Sequence, residues 1–199
     1  MNFQPDDSDG ATPPQRRSLV RLAILFYGAL LGVTMLWSAL SGFPLGFAGP
    51  EAADRGVAPL RDASVGLVAG LVVIFVSREF TRRSRWGEEL ARALAAVLGR
   101  LSWPECLALA ALSGVAEEAF FRGALQPRLG LVAASLIFGL AHFVPRRELL
   151  PWAAFSIAAG FLLGFLFDAT GNLLAPVITH ALVNAVNLRH LAVHYAPAT

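Results

Sequence analysis

From Leu22 to Phe43 the chain runs for 22 residues without a charged side chain. A hydrocarbon core of about 30 Å is crossed by roughly 20 apolar residues in a helix, which satisfies its own backbone hydrogen bonds there. A membrane helix is therefore expected, and the composition agrees: 56% of the 199 residues are hydrophobic and 15% are charged, with a mean hydropathy of +0.59. A soluble domain carries about 25% charged residues. Such a chain is not a disordered polymer, a coiled coil or a collagen-like fibre, and it is poorly suited to a soluble globular fold. Arg16-Arg17 ahead of an apolar run resembles a twin-arginine export signal. The run is longer than a signal-peptide core and lacks a clear small-residue cleavage site, so a retained anchor is expected.

Five more apolar spans follow: Ala63 to Ser77, Pro104 to Phe121, Leu129 to Val144, Leu149 to Phe167 and Leu173 to Leu188. Between the second and third, the Arg/Glu/Ala/Leu segment from Trp86 to Leu101 has helical periodicity and predicts an amphipathic helix on the membrane surface. The expected fold is all-α: a polytopic bundle of about six transmembrane helices, with short connections making sequential helices antiparallel neighbours. Residues 1–17 are polar and predict a disordered cytoplasmic tail before a membrane-embedded domain at 18–199, with its catalytic core at about 104–190.

All 16 basic residues are arginine. With six spans and a cytoplasmic N-terminus, twelve of them fall inside, Arg55, Arg61 and Arg128 fall outside, and Arg122 alone stands in a span. This follows the positive-inside rule and predicts both termini in the cytoplasm. The arginines are scattered without an aromatic platform, so no nucleic-acid partner is expected. The single cysteine, Cys106, excludes an internal disulfide and a cysteine-cluster metal site.

A charge inside a membrane helix costs at least about 2.5 kcal/mol on insertion scales, so it usually faces the protein interior and marks function. The third span nevertheless carries Glu117 and Glu118 with Arg122 at its end, the fourth ends in Phe138 and His142, and the sixth holds His180 and Asn184. Glu118 and Arg122 stand four apart on one helical face and can pair. Glu117 is turned about 100° from Glu118, has no partner on its own helix, and is left to meet another span. A free carboxylate beside His142 can take a proton from a water that both hold. His180 and Asn184, also four apart, can aim donors at the oxyanion of a tetrahedral intermediate. Span lengths put Glu117 and His180 at nearly one depth but His142 roughly 10 Å nearer the cytoplasm.

Glu-Glu-x-x-x-Arg, Phe-x-x-x-His and His-x-x-x-Asn on successive hydrophobic segments resemble the three motifs of the CPBP family. This is the CAAX protease and bacteriocin-processing family of intramembrane endopeptidases, to which the eukaryotic type II CAAX prenyl endopeptidase belongs. The similarity runs from about Ala111 to Leu188 and includes Phe-Arg-Gly after the glutamates and Asn-Leu-Leu-Ala-Pro before His180. It implies that Glu117 and His142 activate water, that His180 and Asn184 form the oxyanion site, and that Glu118, Arg122 and Phe138 support them. No cofactor is expected, because two His and two Glu on three helices lack the His-Glu-x-x-His pattern that presents two metal ligands on one helix; zinc is the lesser alternative. The implied partner is a membrane-associated protein or peptide substrate in the lipid bilayer. All-arginine usage points to a GC-rich bacterial source and its inner (cytoplasmic) membrane, where prenylated CAAX proteins are not expected. Bacterial members include maturation and immunity proteins for secreted peptides. They also include myxosortases, which trim a C-terminal membrane anchor, and the last hundred residues look similar to that subgroup.

Each polar cluster also has a structural explanation. The charges alone could form an ion-pair network, and the histidines and Asn184 could be interhelical glue, leaving a non-catalytic scaffold or carrier. Asp168 and Asn172 are expected to cap and turn around Thr170-Gly171, and His190 and His194 to sit at the interface. Trp37, Trp86, Trp103 and Trp152 are expected as interface anchors, and Ala158, Ala159, Gly160 and Gly164 as close-packing positions.

Overall fold

The computed structural model describes residues 14–197. Eight α-helices follow in order: α1 (Pro14–Ser41), α2 (Pro50–Arg55), α3 (Pro59–Arg83), α4 (Arg85–Leu98), α5 (Trp103–Glu118), α6 (Gln126–Ala141), α7 (Leu150–Thr170) and α8 (Leu174–His194). A π-helical segment, Ala119–Leu125, joins α5 to α6, and a 3-10 turn, Arg147–Leu149, leads into α7. Among the described residues the extended backbone pairing is one isolated antiparallel bridge, Phe47 to Asn172. The first thirteen residues of the expected tail lie outside the described residues, and α1 begins at Pro14.

Among the described residues four stretches are long and apolar enough to cross a membrane: Val20–Ser41, Pro59–Arg83, Trp103–Ala141 and Arg147–Thr170. Their outer faces are apolar, with Leu25, Leu36 and Leu40 on α1 and Val68, Leu71 and Phe75 on α3 all exposed. In water such a surface would drive aggregation; in lipid it is the ordinary exterior. The chain is an all-α membrane bundle. α8, 21 residues long, carries Thr179, His180 and Asn184 and is not among these four stretches.

The third and fourth expected spans form one helical stretch of 39 residues. The turn expected between Phe121 and Leu129 is helical instead, and the break comes at Gly130, where φ is 80° and ψ 166°. That backbone is open to glycine and strained for any residue with a Cβ. Gly130 stands thirteen residues after Glu117 and twelve before His142, so a fold-back there brings the two to one level. The 10 Å depth mismatch arose from placing the reversal in the polar Gln126–Arg128 stretch, which the helix in fact absorbs.

The other helices also depart from simple sequential pairing. α8 packs chiefly on α3 and α5, and α1 on α5 and the π-helical segment, while α6 packs on α7 as expected. Small residues set these seams. A Cβ on Gly66 would lie 2.7 Å from Ala175 O, and one on Gly70 2.9 Å from Leu182 Cδ2, which is how α3 comes to lie against α8. Gly160 bears out its expected role, since a Cβ there would lie 2.9 Å from Ser135 O of α6. α4 buries Gly87, Ala91 and Ala95, one every four residues, against the bundle and exposes Trp86 and Val97.

The start of α8 is held from two sides. Asp62 Oδ2 accepts from Ala58 N (3.0 Å) and from Asn172 Nδ2 (2.8 Å), while Asn172 Oδ1 accepts from Leu174 N (3.0 Å). Asn172 thus caps α8, and it also ties that helix to the first turn of α3. Gly171, at φ 77°, ends α7 in the left-handed conformation that favours glycine.

Candidate active site

The fold brings the polar residues of α5, α6 and α8 together. Glu117 Oε2 lies 3.7 Å from His142 Nε2. The carboxylate is 7% exposed, and Oε2 has no hydrogen-bond partner among the described residues. His142 is oriented by its own helix, because Nδ1–H donates to Phe138 O at 2.8 Å. That bond fixes the tautomer and leaves the Nε2 lone pair toward Glu117. The His142 ring rests against Phe138 (centroids 4.7 Å apart) and against Trp152 (5.3 Å). Trp152 was expected as an interface anchor; it packs on the site.

Glu118 faces the other way. Its Oε1 accepts from Arg122 Nη1 at 3.1 Å, the four-residue pair expected from spacing, and from His180 Nδ1 at 2.7 Å. Both partners are buried, Arg122 at 1% exposure and Glu118 at 0%. Arg122 Nη2 also donates to Gly160 O at 3.1 Å, and its guanidinium carbon stands 4.4 Å from the Phe138 ring centroid. A charged group so placed is tolerable only with this many partners. The Phe138 ring touches His180 as well, at 6.1 Å edge-on, so this one aromatic spaces both histidines.

His180 spends its Nδ1 proton on Glu118, which turns Nε2 outward. Asn184, one turn further along α8, donates from Nδ2 to Ser113 Oγ at 2.9 Å, and Ser113 in turn donates to Ala110 O at 3.3 Å. The second Nδ2 hydrogen is not used in that bond. Asn184 is thus anchored to α5 one turn before Glu117.

Three participants escaped the sequence reading. Gln126 continues the Glu118, Arg122 series at the same spacing and donates from Nε2 to Gly164 O (3.0 Å) and Asp168 Oδ1 (2.8 Å), locking the start of α6 to α7. Gly164 has no room for a Cβ, which would lie 2.6 Å from Gln126 Oε1. Asp168, expected as a turn residue, belongs to this bond. Ser113 could have been found four residues before Glu117. Tyr27 of α1, whose hydroxyl interacts with the Glu117 carboxylate, stands in an apolar run that carries no signal.

The π-helical geometry itself is rare, and where it occurs it often marks a functional site. Here it directly follows the two glutamates. Among the described residues no group of three or more His, Cys, Asp or Glu could hold a metal ion.

Comparison with known proteins singles out this region. Residues 99–186 match the family model described as type II CAAX prenyl endopeptidase Rce1-like. The chain is 41% identical over 92 residues to the uncharacterized protein YpbD of Bacillus subtilis (strain 168), a stretch that covers 45% of this chain and 47% of that protein. The chain thus spans about half the length of the curated relative it matches. No solved structure matches. Residues 99–186 contain Glu117, Glu118, Arg122, His142, His180 and Asn184, so the similarity to the Rce1-like type II CAAX prenyl endopeptidase family, a family of proteases, falls on the stretch that holds the candidate site.

Proposed function

We propose that the chain is an intramembrane endopeptidase that hydrolyses a peptide bond in a membrane-associated protein or peptide. The observation that carries the proposal is the unpartnered, buried Glu117 Oε2 standing 3.7 Å from the lone-pair edge of His142. A water between them donates a proton to Glu117 and a hydrogen bond to His142, and its oxygen attacks the scissile carbonyl carbon. The carbonyl oxygen becomes an oxyanion, met by the free Asn184 amide hydrogen and by the His180 imidazole. Collapse breaks the C–N bond, and the proton held by Glu117 passes to the leaving amine, giving a carboxylic acid and an amine.

Glu118, Arg122 and Phe138 hold this arrangement without touching substrate. No step requires a metal. The substrate we favour is a protein with a C-terminal membrane anchor, and the site is a bacterial inner membrane with both chain termini in the cytoplasm, in keeping with the arginine distribution.

The test is to purify the full chain, supply candidate anchored substrates, and compare wild type with Glu117→Ala and His142→Ala. Loss of cleavage in both supports the proposal; cleavage at the wild-type rate in both overturns it in favour of a scaffold or carrier. Chelation belongs in the same assay, since activity lost to a chelator and restored by zinc would replace the metal-free mechanism.

A further inference from the structure

α6 ends in a tightened turn: the His142 N–H donates to Gly139 O at 3.1 Å, three residues back, and leaves Phe138 O to the imidazole Nδ1–H at 2.8 Å. His142 thus caps its own helix, as a histidine at a helix C-terminus can. A single bond at one edge still lets the ring pivot about it. Glu117 does not stop that motion, because 3.7 Å between Oε2 and Nε2 is longer than a hydrogen bond. The direction of Nε2 therefore depends on what the ring packs against.

Among the described residues it packs against two aromatic rings. Phe138, with centroids 4.7 Å apart, is buried and is itself fixed by Phe121 at 5.0 Å and by the Arg122 guanidinium at 4.4 Å. It stands on the same helix as His142, one turn back. Trp152, with centroids 5.3 Å apart and its plane at 84° to the imidazole, comes from the first turn of α7, ten residues further along the chain. Edge-on contact of this kind is one that aromatic rings prefer. α7 is held firmly at this level. Leu149 is buried at the end of the 3-10 turn before it, and a Cβ on Gly139 of α6 would fall 2.1 Å from Ile157 Cγ1. Trp152, half-buried, is thus a wall that a neighbouring helix sets beside the ring.

We propose that Trp152 is a positioning residue for the hydrolysis: its indole stops the His142 imidazole from pivoting about the Nδ1 bond and keeps Nε2 turned to Glu117 Oε2, where the attacking water is held. The inference rests on the reading of Glu117 and His142 as the pair that activates water. Position 152 lies outside Glu-Glu-x-x-x-Arg, Phe-x-x-x-His and His-x-x-x-Asn alike. Trp152 moves no proton and acts through His142. A broad flat ring suits the task, because an aliphatic side chain in its place leaves the imidazole room to turn. Productive geometry tolerates little displacement, and a shift of about 1 Å is enough to cost on the order of 10²-fold in rate.

The experiment reads the ring nitrogens of His142 by NMR on the full chain in detergent micelles at about pH 8, above the ordinary histidine range, with no substrate present. Cleavage of an anchored substrate is measured in parallel. The chain has four histidines, and the spectrum of His142→Gln assigns the signal. In wild type one neutral tautomer, protonated at Nδ1, is expected. Trp152→Leu is expected to mix the tautomers, since a ring released from Phe138 O carries its proton on either nitrogen, and to lower kcat about 10–10²-fold with KM unchanged. Trp152→Phe, which restores a ring, is expected to recover both. Trp152→Val stands in should the leucine variant fail to fold. Wild-type ring signals in the aliphatic variants overturn the proposal, as does a wild-type kcat beside mixed tautomers, or a loss that Trp152→Phe does not recover. The nitrogen signals need no turnover. A wild type that cleaves nothing, with the tautomer change still present in Trp152→Leu, counts against the protease reading and supports Trp152 as the clamp on His142.

Discussion

Glu118 and His180, 62 residues apart in the chain, meet Oε1 to Nδ1 at 2.7 Å, on the same oxygen that accepts from Arg122. One carboxylate oxygen therefore fixes a histidine on α8 and an arginine beyond α5. Glu118→Ala leaves Arg122 buried without its counter-charge, and breaking such a pair costs about 3–5 kcal/mol. A marked fall in the denaturation midpoint of the purified protein is expected. An unchanged midpoint would show that the pair carries no structural role.

Glu117 has the opposite character. Its Oε2 lacks a hydrogen-bond partner, so Glu117→Gln is expected to leave stability unchanged or slightly raised while lowering kcat about 10²–10⁴-fold, the usual share of a general base. Parallel measurement of the melting temperature and kcat separates the two glutamates: stability for Glu118, rate for Glu117.

Gly139 tests how the site depends on the seam between α6 and α7. A Cβ there would fall 2.1 Å from Ile157 Cγ1 and 3.0 Å from Ile157 Cα. Gly139→Ala is expected to destabilise by about 1–3 kcal/mol and, with His142 three residues on, to lower kcat as well. Gly32→Ala has nothing within 4 Å and serves as the control; equal effects from the two would refute the steric account.

Gly130 isolates the backbone contribution. It too has nothing within 4 Å, so Gly130→Ala adds no clash and charges only the φ of 80°, about 1–3 kcal/mol. Relaxing that strain straightens the fold-back and parts His142 from Glu117. Activity is expected to fall further than the stability loss alone explains, checked by kcat at a temperature where the variant is fully folded.

The residues of the site were legible because their chemistry is misplaced in a membrane, and the four-residue spacings gave the Glu118–Arg122 pair and freed Glu117. The helical boundaries were harder to read. Gln126, Pro127 and Arg128 look like a loop, yet Gln126 is buried and bonded to α7, and proline is tolerated there in the first turn of α6. Gly130, flanked by leucines, resembles any small residue of an apolar span, and only its backbone angles reveal the break. Trp152 and Tyr27 reach the site through tertiary packing, on which one-dimensional spacing is silent. Asn172 was read from its turn, and its second bond, to Asp62, crosses 110 residues.

The seven π-helical residues between Glu118 and Gln126 act as a phase adjuster for everything downstream. Each residue of an α-helix advances the side-chain direction by about 100°, and a π turn admits an extra residue without a loop. Deleting one residue within Ala119–Leu125 would restore an ordinary helix and swing Gln126 away from Gly164 and Asp168, carrying Gly130 and the whole of α6 with it. Point substitutions there, Arg122 apart, are local events, whereas a change of length by one is heard at His142. Relatives of this domain should therefore keep Arg122 and the number of these positions, and vary more readily in the side chains of the other six.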